Sequence, residues 1–231
     1  MVFITLIILI FETILFSWLQ NNYLLKSVTD YHRGTETERK LVLKLLKSGI
    51  HFQTIFHDLY ITNANGSYSQ IDLVVPTKVG IIVFEVKKYS GWIFGNGNQP
   101  KWTQLLAYGK QRYRFYSPVF QNNKHILDLK KQLPQFENIP FYSVLVFYGD
   151  CVFKDISFIP NGTFIVKQHN VLKVIKNITN ENEPANYINK REILNLLKNA
   201  VKNGENKDIM NKHIANIKNR FGEHRSIAPK P

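Results

Sequence analysis

The sequence predicts a mixed α/β protein with a central β-sheet flanked by helices, preceded by an apolar helix and followed by basic helices. Three observations support this prediction. Residues 1–20 are apolar and contain one charged side chain, Glu12. Runs rich in β-branched and aromatic residues, typical of buried strands, recur between residues 51 and 167 and enclose one helical segment. After residue 187 the apolar residues follow helical spacing. The order helix, strands, helix, strand is typical of one sheet covered by helices.

The composition limits the class of protein and its partners. The chain has 231 residues, enough for one core of about 150 residues with appendages. Its 30 Lys and Arg exceed its 17 Asp and Glu, which gives a net charge of +13. A charge of this sign attracts polyanions, either nucleic acid or anionic lipid. The alternative is a solvated, lysine-rich surface without a polyanionic partner. The single cysteine, Cys151, excludes an internal disulfide framework and favours a reducing compartment.

The first 25 residues predict a transmembrane anchor. A helix of roughly 20 apolar residues crosses the ~30 Å hydrocarbon layer. A cleaved signal peptide would need a basic start and a small-residue cleavage site, and neither is present. A buried core helix is the remaining alternative. Four basic residues follow the apolar run closely: Lys26, Arg33, Arg39 and Lys40. By the positive-inside rule they predict a single-pass protein of the cell membrane whose C-terminal domain is cytoplasmic.

The body of the chain then divides into elements by periodicity and turn signals. A helix is expected within 31–49, ended by Gly49, and the Asn65–Gly66 dipeptide indicates a hairpin. Strands are predicted over 51–61, 68–77, 80–90, 91–95, 101–106, 141–148 and 162–167. The remaining predicted helices are 117–133, 188–204 and 206–222, with a loose tail over 223–231.

Three charged residues interrupt the strands predicted over 68–77 and 80–90. Asp72 lies in "IDLVV", Glu85 lies in "GIIVFEV", and Lys87 follows two residues later on the same strand face. Charges in buried strands are costly unless they are paired or hold a metal. Two carboxylates form a hard-oxygen site suited to Mg²⁺, and an adjacent ammonium could orient an attacking water and stabilise phosphorane charge. Salt bridges at the strand ends are the alternative interpretation of this pattern.

The surrounding motifs resemble those of one known family. These are "GTETERKLVLKLL", "SQIDLVV", "GIIVFEVKKYSGWIFG", Trp102 and "SPVFQNNKHILDL", in this order. Together they resemble the NERD (nuclease-related) domain of the PD-(D/E)XK nuclease superfamily, over roughly residues 34–175. The resemblance implies a restriction-endonuclease-like core. Together with the apolar N-terminal run and the basic C-terminal helices, it predicts an anchor over 1–25, a NERD domain over 30–180, and a basic helical extension with tail over 181–231.

The resemblance also implies roles for the charged residues in the strands and first helix. Asp72 and Glu85 match the metal-binding acids, with Mg²⁺ or Mn²⁺ as the cofactor, and Lys87 matches the catalytic lysine. Glu38 matches a helix glutamate at the edge of the metal site. A solvent-facing Glu favoured by the helix dipole is the alternative for Glu38. Gln70 matches the residue before the first acid and could be structural.

Gln121 and His125 match the motif of the later helix. They are four residues apart and therefore share a helix face, from which they could reach the site or the phosphates of the substrate. Capping or packing is the alternative role for this pair. The sequence departs from the family pattern at Thr37 and Ser117, where glycine and asparagine are usual.

The leading functional hypothesis is a membrane-anchored, cytoplasm-facing, metal-dependent nuclease. DNA is favoured over RNA by the resemblance alone. One alternative is a catalytically inactive, nuclease-like module that binds nucleic acid. The other is a membrane-tethered interaction scaffold whose basic surface binds anionic lipid.

Overall fold

The computed structural model describes residues 2–63 and 65–223 and has a mixed α/β architecture. Six α-helices occupy Val2–Lys26 (α1), Glu36–Lys47 (α2), Pro118–Lys130 (α3), Val171–Glu181 (α4), Lys190–Asn203 (α5) and Lys207–Glu223 (α6). Nine strands occupy Phe56–Thr62 (β1), Tyr68–Thr77 (β2), Gly80–Lys88 (β3), Gly91–Asn96 (β4), Lys101–Leu106 (β5), Gln111–Tyr116 (β6), Phe141–Tyr148 (β7), Cys151–Ser157 (β8) and Thr163–Lys167 (β9). The predicted fold class is therefore confirmed.

The strands form two mixed sheets rather than one. The larger sheet has the order β1-β2-β3-β7-β9, and the smaller has the order β6-β5-β4-β8. The parallel pair β3–β7 of the first sheet leads directly into the parallel pair β4–β8 of the second. Gly149, at the step from β7 to β8, has φ 79°, and a Cβ there would lie 2.3 Å from the carbonyl oxygen of Tyr89. Glycine is therefore required at position 149, where the chain passes from β7 in the first sheet to β8 in the second beside the step from β3 to β4.

Helices cover both faces of the five-stranded sheet, which places its strands in the core. On one face α2 and α4 pack through Leu41 and Ile175 against Phe84 and other apolar residues of the sheet. On the other face α3 and α5 contribute Leu129 and Leu197 to a second cluster. Because α5 is part of this core, the C-terminal extension is not merely an appended basic segment. The boundary predicted at residue 180 stays a prediction.

Three elements were not predicted from the sequence, and each has a physical reason. β6 is an edge strand without a buried residue, and most of β8 is exposed or half-buried, so neither has a clear apolar period. α4 is rich in Val and Ile, which favour strands, yet its buried residues Val171, Ile175 and Ile178 recur at helical spacing. The predicted tail lies outside the described residues, except for Glu223, which ends α6.

α1 is the one helix among the described residues that is long and apolar enough to cross a membrane. Its apolar residues from Phe3 to Leu19 are exposed, and only its C-terminal end reaches the globular body, where Leu25 packs against the core. A signal sequence shares these features. The helix is therefore either a membrane span or a signal sequence.

Candidate active site

The central feature of the site is a fork between β2 and β3. The antiparallel pairing of β2 with β3 ends at Leu73 and Phe84. Beyond this pair, the preceding residues of β2 lie beside β1 and the following residues of β3 lie beside β7. Asp72 and Glu85 are the first residues beyond the last paired positions. The backbone N–H of Val86 donates to Asp72 Oδ2 at 2.7 Å, so a carboxylate accepts the hydrogen bond at the point where the strands separate. Two adjacent strands thus present their acids in one opening.

The alternation of side chains along β1 and β2 is interrupted at the level of this fork. Ile71 and Val74 pack in the same apolar cluster although they are three residues apart. Across the strand pair, Asp58 has a φ of 55°, in the left-handed region. Such local irregularities change the direction in which side chains point, and they are frequent next to active sites. Here the irregularity separates Asp72 from the regular apolar face of its strand.

Glu85 is fully buried and lies between a lysine and a histidine. Lys87 Nζ is 2.5 Å from Glu85 Oε1, and His125 Nε2 is 3.5 Å from Glu85 Oε2. Both contacts are ion pairs by distance, and both Glu85 oxygens are buried. Lys87 Nζ also donates to Gln121 Oε1 at 3.1 Å. The structure therefore brings both predicted residues of α3 to the acid and lysine of β3.

The two acids of the fork have opposite electrostatic environments. Burial raises the pKa of Asp72 well above its ordinary value, and the nearby carboxylates of Glu85 and Glu38 raise it further. Burial also acts to raise the pKa of Glu85, but His125 and Lys87 outweigh it and lower that pKa. Burial opposes the charge of Lys87, yet Glu85 and Asp72 raise the lysine pKa. Lys87 is thus a stable cation that favours Glu85 as an anion and leaves Asp72 poorly compensated.

Glu38 reaches the fork from the first turn of α2 and is buried, not facing solvent. Its Oε1 accepts a 2.7 Å hydrogen bond from the Thr35 hydroxyl, and its Oε2 lies 3.3 Å from His57 Nε2. His57 Nδ1 is in turn 2.8 Å from the hydroxyl oxygen of Thr29. Burial acts to raise the pKa of Glu38, but His57 and Thr35 outweigh it and lower that pKa. Glu38 lies close enough to Asp72 for its charge to raise the Asp72 pKa, so the predicted helix acid acts on the strand acid electrostatically.

His57 was not predicted as part of the site. Its signal in the sequence is a histidine inside an apolar strand, which does not specify a partner. The structure supplies the reason for its position, because Gly34 closes over the pair that His57 forms with Glu38. A Cβ at Gly34 would lie 2.3 Å from Glu38 Oε2 and 2.6 Å from His57 Nε2. The first glycine of the predicted motif is therefore a close-packing residue above the helix acid.

Gln70 lies away from the acids of the fork. Its Nε2 donates to Asp58 Oδ1 at 3.1 Å, and Arg33 Nε donates to Asp58 Oδ2 at 3.2 Å. Arg33 also donates to the backbone carbonyl oxygens of Asp58 and Val201. This network ties the irregular part of β1 to α5 and to the segment after α1. It agrees with the structural role considered for Gln70.

A cleft of about 310 Å³ opens beside the fork, between the start of α2 and the end of β3. Its lining residues are Thr35, Glu36, Thr37, Val86, Lys87, Lys88 and Tyr89. The N-terminus of a helix and two lysine side chains favour an anion there. The cleft is therefore suited to a phosphate group next to the acids.

Comparison with known proteins places this site in a family. The model of the nuclease-related domain (NERD) matches residues 33–148, just over half of the chain. The chain belongs to the NERD family. The match includes the fork, Glu38, and both residues of α3. An uncharacterized protein of Bacillus anthracis is 26% identical over 218 residues, covering 94% of this chain and 99% of that protein. No solved structure matches the chain.

The residues of the NERD site fit a divalent cation by the chemistry of their buried carboxylates, whose oxygens also contact Lys87, His125 and His57. Within residues 2–63 and 65–223, no group of three or more His, Cys, Asp or Glu is arranged to hold a metal ion. Mg²⁺, however, takes one or two protein carboxylates and keeps several waters. Both Glu85 oxygens and Glu38 Oε2 are buried without a hydrogen-bond partner in that part of the chain. Asp72 and Glu85 could therefore hold Mg²⁺ or Mn²⁺, with Glu38 at the edge.

The opposite environments of the two acids give a stability prediction for the protein in EDTA. The pKa of Asp72 is higher in the folded protein than in the unfolded chain. Its ionisation therefore destabilises the fold, and the effect grows as the pH rises from the pKa of the unfolded state through that of the folded state. The pKa of Glu85 is lower in the folded protein than in the unfolded chain. Its charge therefore stabilises the fold above the pKa of the unfolded state, and this stabilisation is lost as the pH falls through the pKa of the folded state. At neutral pH, Asp72→Asn should raise Tm by several °C, and Glu85→Gln should lower it.

Thermal unfolding of the full chain in detergent, followed from pH 4 to 8, measures both shifts. Asn at position 72 can still accept the Val86 N–H, so the comparison isolates the charge. Glu36→Gln, at an exposed position beside the same cleft, is the control and should leave Tm nearly unchanged. Shifts of the same sign for Asp72→Asn and Glu85→Gln would contradict this account of the site.

Proposed function

We propose that this protein is a membrane-anchored, cytoplasm-facing nuclease that hydrolyses phosphodiester bonds with the help of a divalent metal ion, and that DNA is its substrate. The observation that carries the proposal is the fork, where Asp72 and Glu85 meet on adjacent strands with Lys87 beside them. A purely structural ion pair would need only one of these acids. The second acid is kept in an environment that opposes its charge, which is typical of functional groups.

Each residue of the fork has a chemical task in this proposal. A divalent cation, when bound, polarises the phosphoryl oxygens and lowers the pKa of an attacking water. Asp72 and Glu85 would be its protein ligands. The Lys87 ammonium faces the cleft and stabilises negative charge that develops on the phosphate. Gln121 orients that ammonium through its 3.1 Å hydrogen bond. His57 holds Glu38 in position through their 3.3 Å contact.

Substitutions in the fork test the chemistry. With Mg²⁺ or Mn²⁺, Asp72→Asn and Glu85→Gln should abolish cleavage of DNA by the full chain in detergent, because each removes a metal ligand. Lys87→Ala should slow cleavage by about 10²–10³-fold, the usual cost of losing one electrostatic stabiliser. Gln121→Ala should have a smaller effect because Gln121 acts through Lys87. Time courses on labelled single-stranded and duplex DNA at saturating metal measure these rates.

Binding of the same DNA in EDTA is the control, and it should survive all four substitutions at matched folded fraction. The same assays with RNA test the choice of DNA. Wild-type protein that binds DNA but does not cleave it with either metal ion would overturn the nuclease proposal. That result would favour the inactive binding module.

The orientation in the membrane is the second part of the proposal. α1 is exposed along its apolar length, and the basic residues follow it on the side of the globular body. The single cysteine, Cys151, is buried and lies 3.1 Å from Lys167 Nζ, so it is a poor labelling site. Lys173, exposed on α4, is a better position for a reporter.

In intact cells, the variant Cys151→Ser with Lys173→Cys should resist a membrane-impermeant maleimide and react after the cells are opened. This is the expected result because a cytoplasmic body is shielded by the membrane. Fractionation of the same cells should place the full chain with the membranes. Rapid labelling from outside, or a soluble product that lacks the first residues, would contradict the proposed anchor and orientation.

A further inference from the structure

The smaller sheet carries an arm that the proposed chemistry does not use. This arm is the β5–β6 hairpin, Lys101–Tyr116, whose outer strand β6 pairs with β5 alone among the described strands. Between Val86 and Leu127 the sequence has seven Lys and Arg and no Asp or Glu. Four of these basic residues lie on the arm: Lys101, Lys110, Arg112 and Arg114. Within the described part of the chain, none of the four forms an ion pair.

The arm also exposes aromatic rings. Tyr108, at its tip, is 95% exposed and has a φ of 55°, and Ala107 before it has a φ of 49°. Tyr113 and Tyr116 on β6 are each about half exposed, at 50% and 49%. An edge strand that only needed protection from aggregation would carry its charges without exposed rings. The aromatic residues therefore require a different explanation.

The row of rings leads to the candidate active site. Tyr113 and Phe115 are two apart on β6 and share a face. The Phe115 ring centroid lies 4.4 Å from that of Tyr89, and Tyr89 lines the cleft beside Lys87. The arm is thus continuous with the cleft through an aromatic contact.

We propose that the β5–β6 arm binds an unpaired stretch of the nucleic-acid substrate and guides it to the cleft. This inference rests on the proposed function and adds the substrate class, a polynucleotide with single-stranded character. Bases can stack on the tyrosine rings only where they are unpaired, and arginines on the same edge strand can bind the phosphates. An anionic membrane surface would also attract basic and aromatic residues, but it would not explain a row of rings that ends at the cleft.

Four paired substitutions separate these contributions in the full chain in detergent. Tyr108→Ala with Tyr113→Ala removes two rings, and Arg112→Gln with Arg114→Gln removes two charges. The control is Lys173→Gln with Lys176→Gln, which removes two exposed charges from α4, beside β9 in the other sheet. Tyr108→Phe with Tyr113→Phe keeps the rings and should restore binding. All variants are compared at matched folded fraction.

The readout is the fluorescence anisotropy of a labelled 20-nucleotide single strand and of the corresponding duplex, in EDTA so that no cleavage occurs. The tyrosine pair should weaken single-strand binding by at least about thirtyfold and duplex binding by less than about twofold. The arginine pair should weaken binding to both, and the salt slope on the single strand should fall by about 1.4, since each lost phosphate contact contributes about 0.7. The control pair should change neither slope nor preference.

Three results would overturn the proposal: equal loss of single-strand and duplex binding in the tyrosine pair, no loss in either arm variant, or a loss in the arginine pair no larger than in the control. Loss of binding only to anionic vesicles of phosphatidylglycerol, with DNA binding unchanged, would assign the arm to the membrane instead. Because binding is measured without metal, failure of the arm proposal leaves the cleavage tests of Asp72 and Glu85 intact. Failure of cleavage likewise leaves the binding result interpretable.

Discussion

The separation of β2 from β3 is the constraint on which the site depends. If the ladder continued past Leu73 and Phe84, Asp72 would lie inside a regular antiparallel pair, and the Val86 N–H would bind the backbone of β2. Instead the Asp72 carboxylate accepts the Val86 N–H at 2.7 Å, where the strands part. A buried N–H is satisfied by an acid, so the acid has a structural reason to stay in place.

The fork also explains why helices from both faces of the sheet meet at one point. α2 brings Glu38 and α3 brings His125 toward the same pair of strands, so the cluster is assembled from four elements. The chain after α1 takes part as well, because the Thr29 hydroxyl contacts His57, which in turn contacts Glu38. The segment that follows the candidate membrane span therefore contacts His57, the residue that contacts Glu38. An anchored body of this kind would hold its cleft close to the bilayer.

Strand periodicity in the sequence predicts that Asp72 and Glu85 lie on neighbouring strands and that Glu85 and Lys87 share a strand face, and the structure has this arrangement. Their roles stay a prediction. The sequence could not predict the partners that depend on long-range geometry. His57 looks like an ordinary strand residue until Glu38 is placed beside it. Burial raises the pKa of both Asp72 and Glu85, and the net shifts are opposite because His125 and Lys87 lie against Glu85. β6 was missed for a related reason: an edge strand that faces solvent has no apolar period to detect.

Direct metal binding tests the central claim, that the fork is a cation site. The full chain in detergent is titrated with Mn²⁺ and followed by the electron paramagnetic resonance signal of the free ion, without any nucleic acid. The account predicts saturable binding to the wild type, a loss of at least about tenfold in affinity for Asp72→Asn and for Glu85→Gln, and unchanged binding for Glu36→Gln at the rim of the same cleft. Equal binding by all four proteins, or none by the wild type, would contradict it.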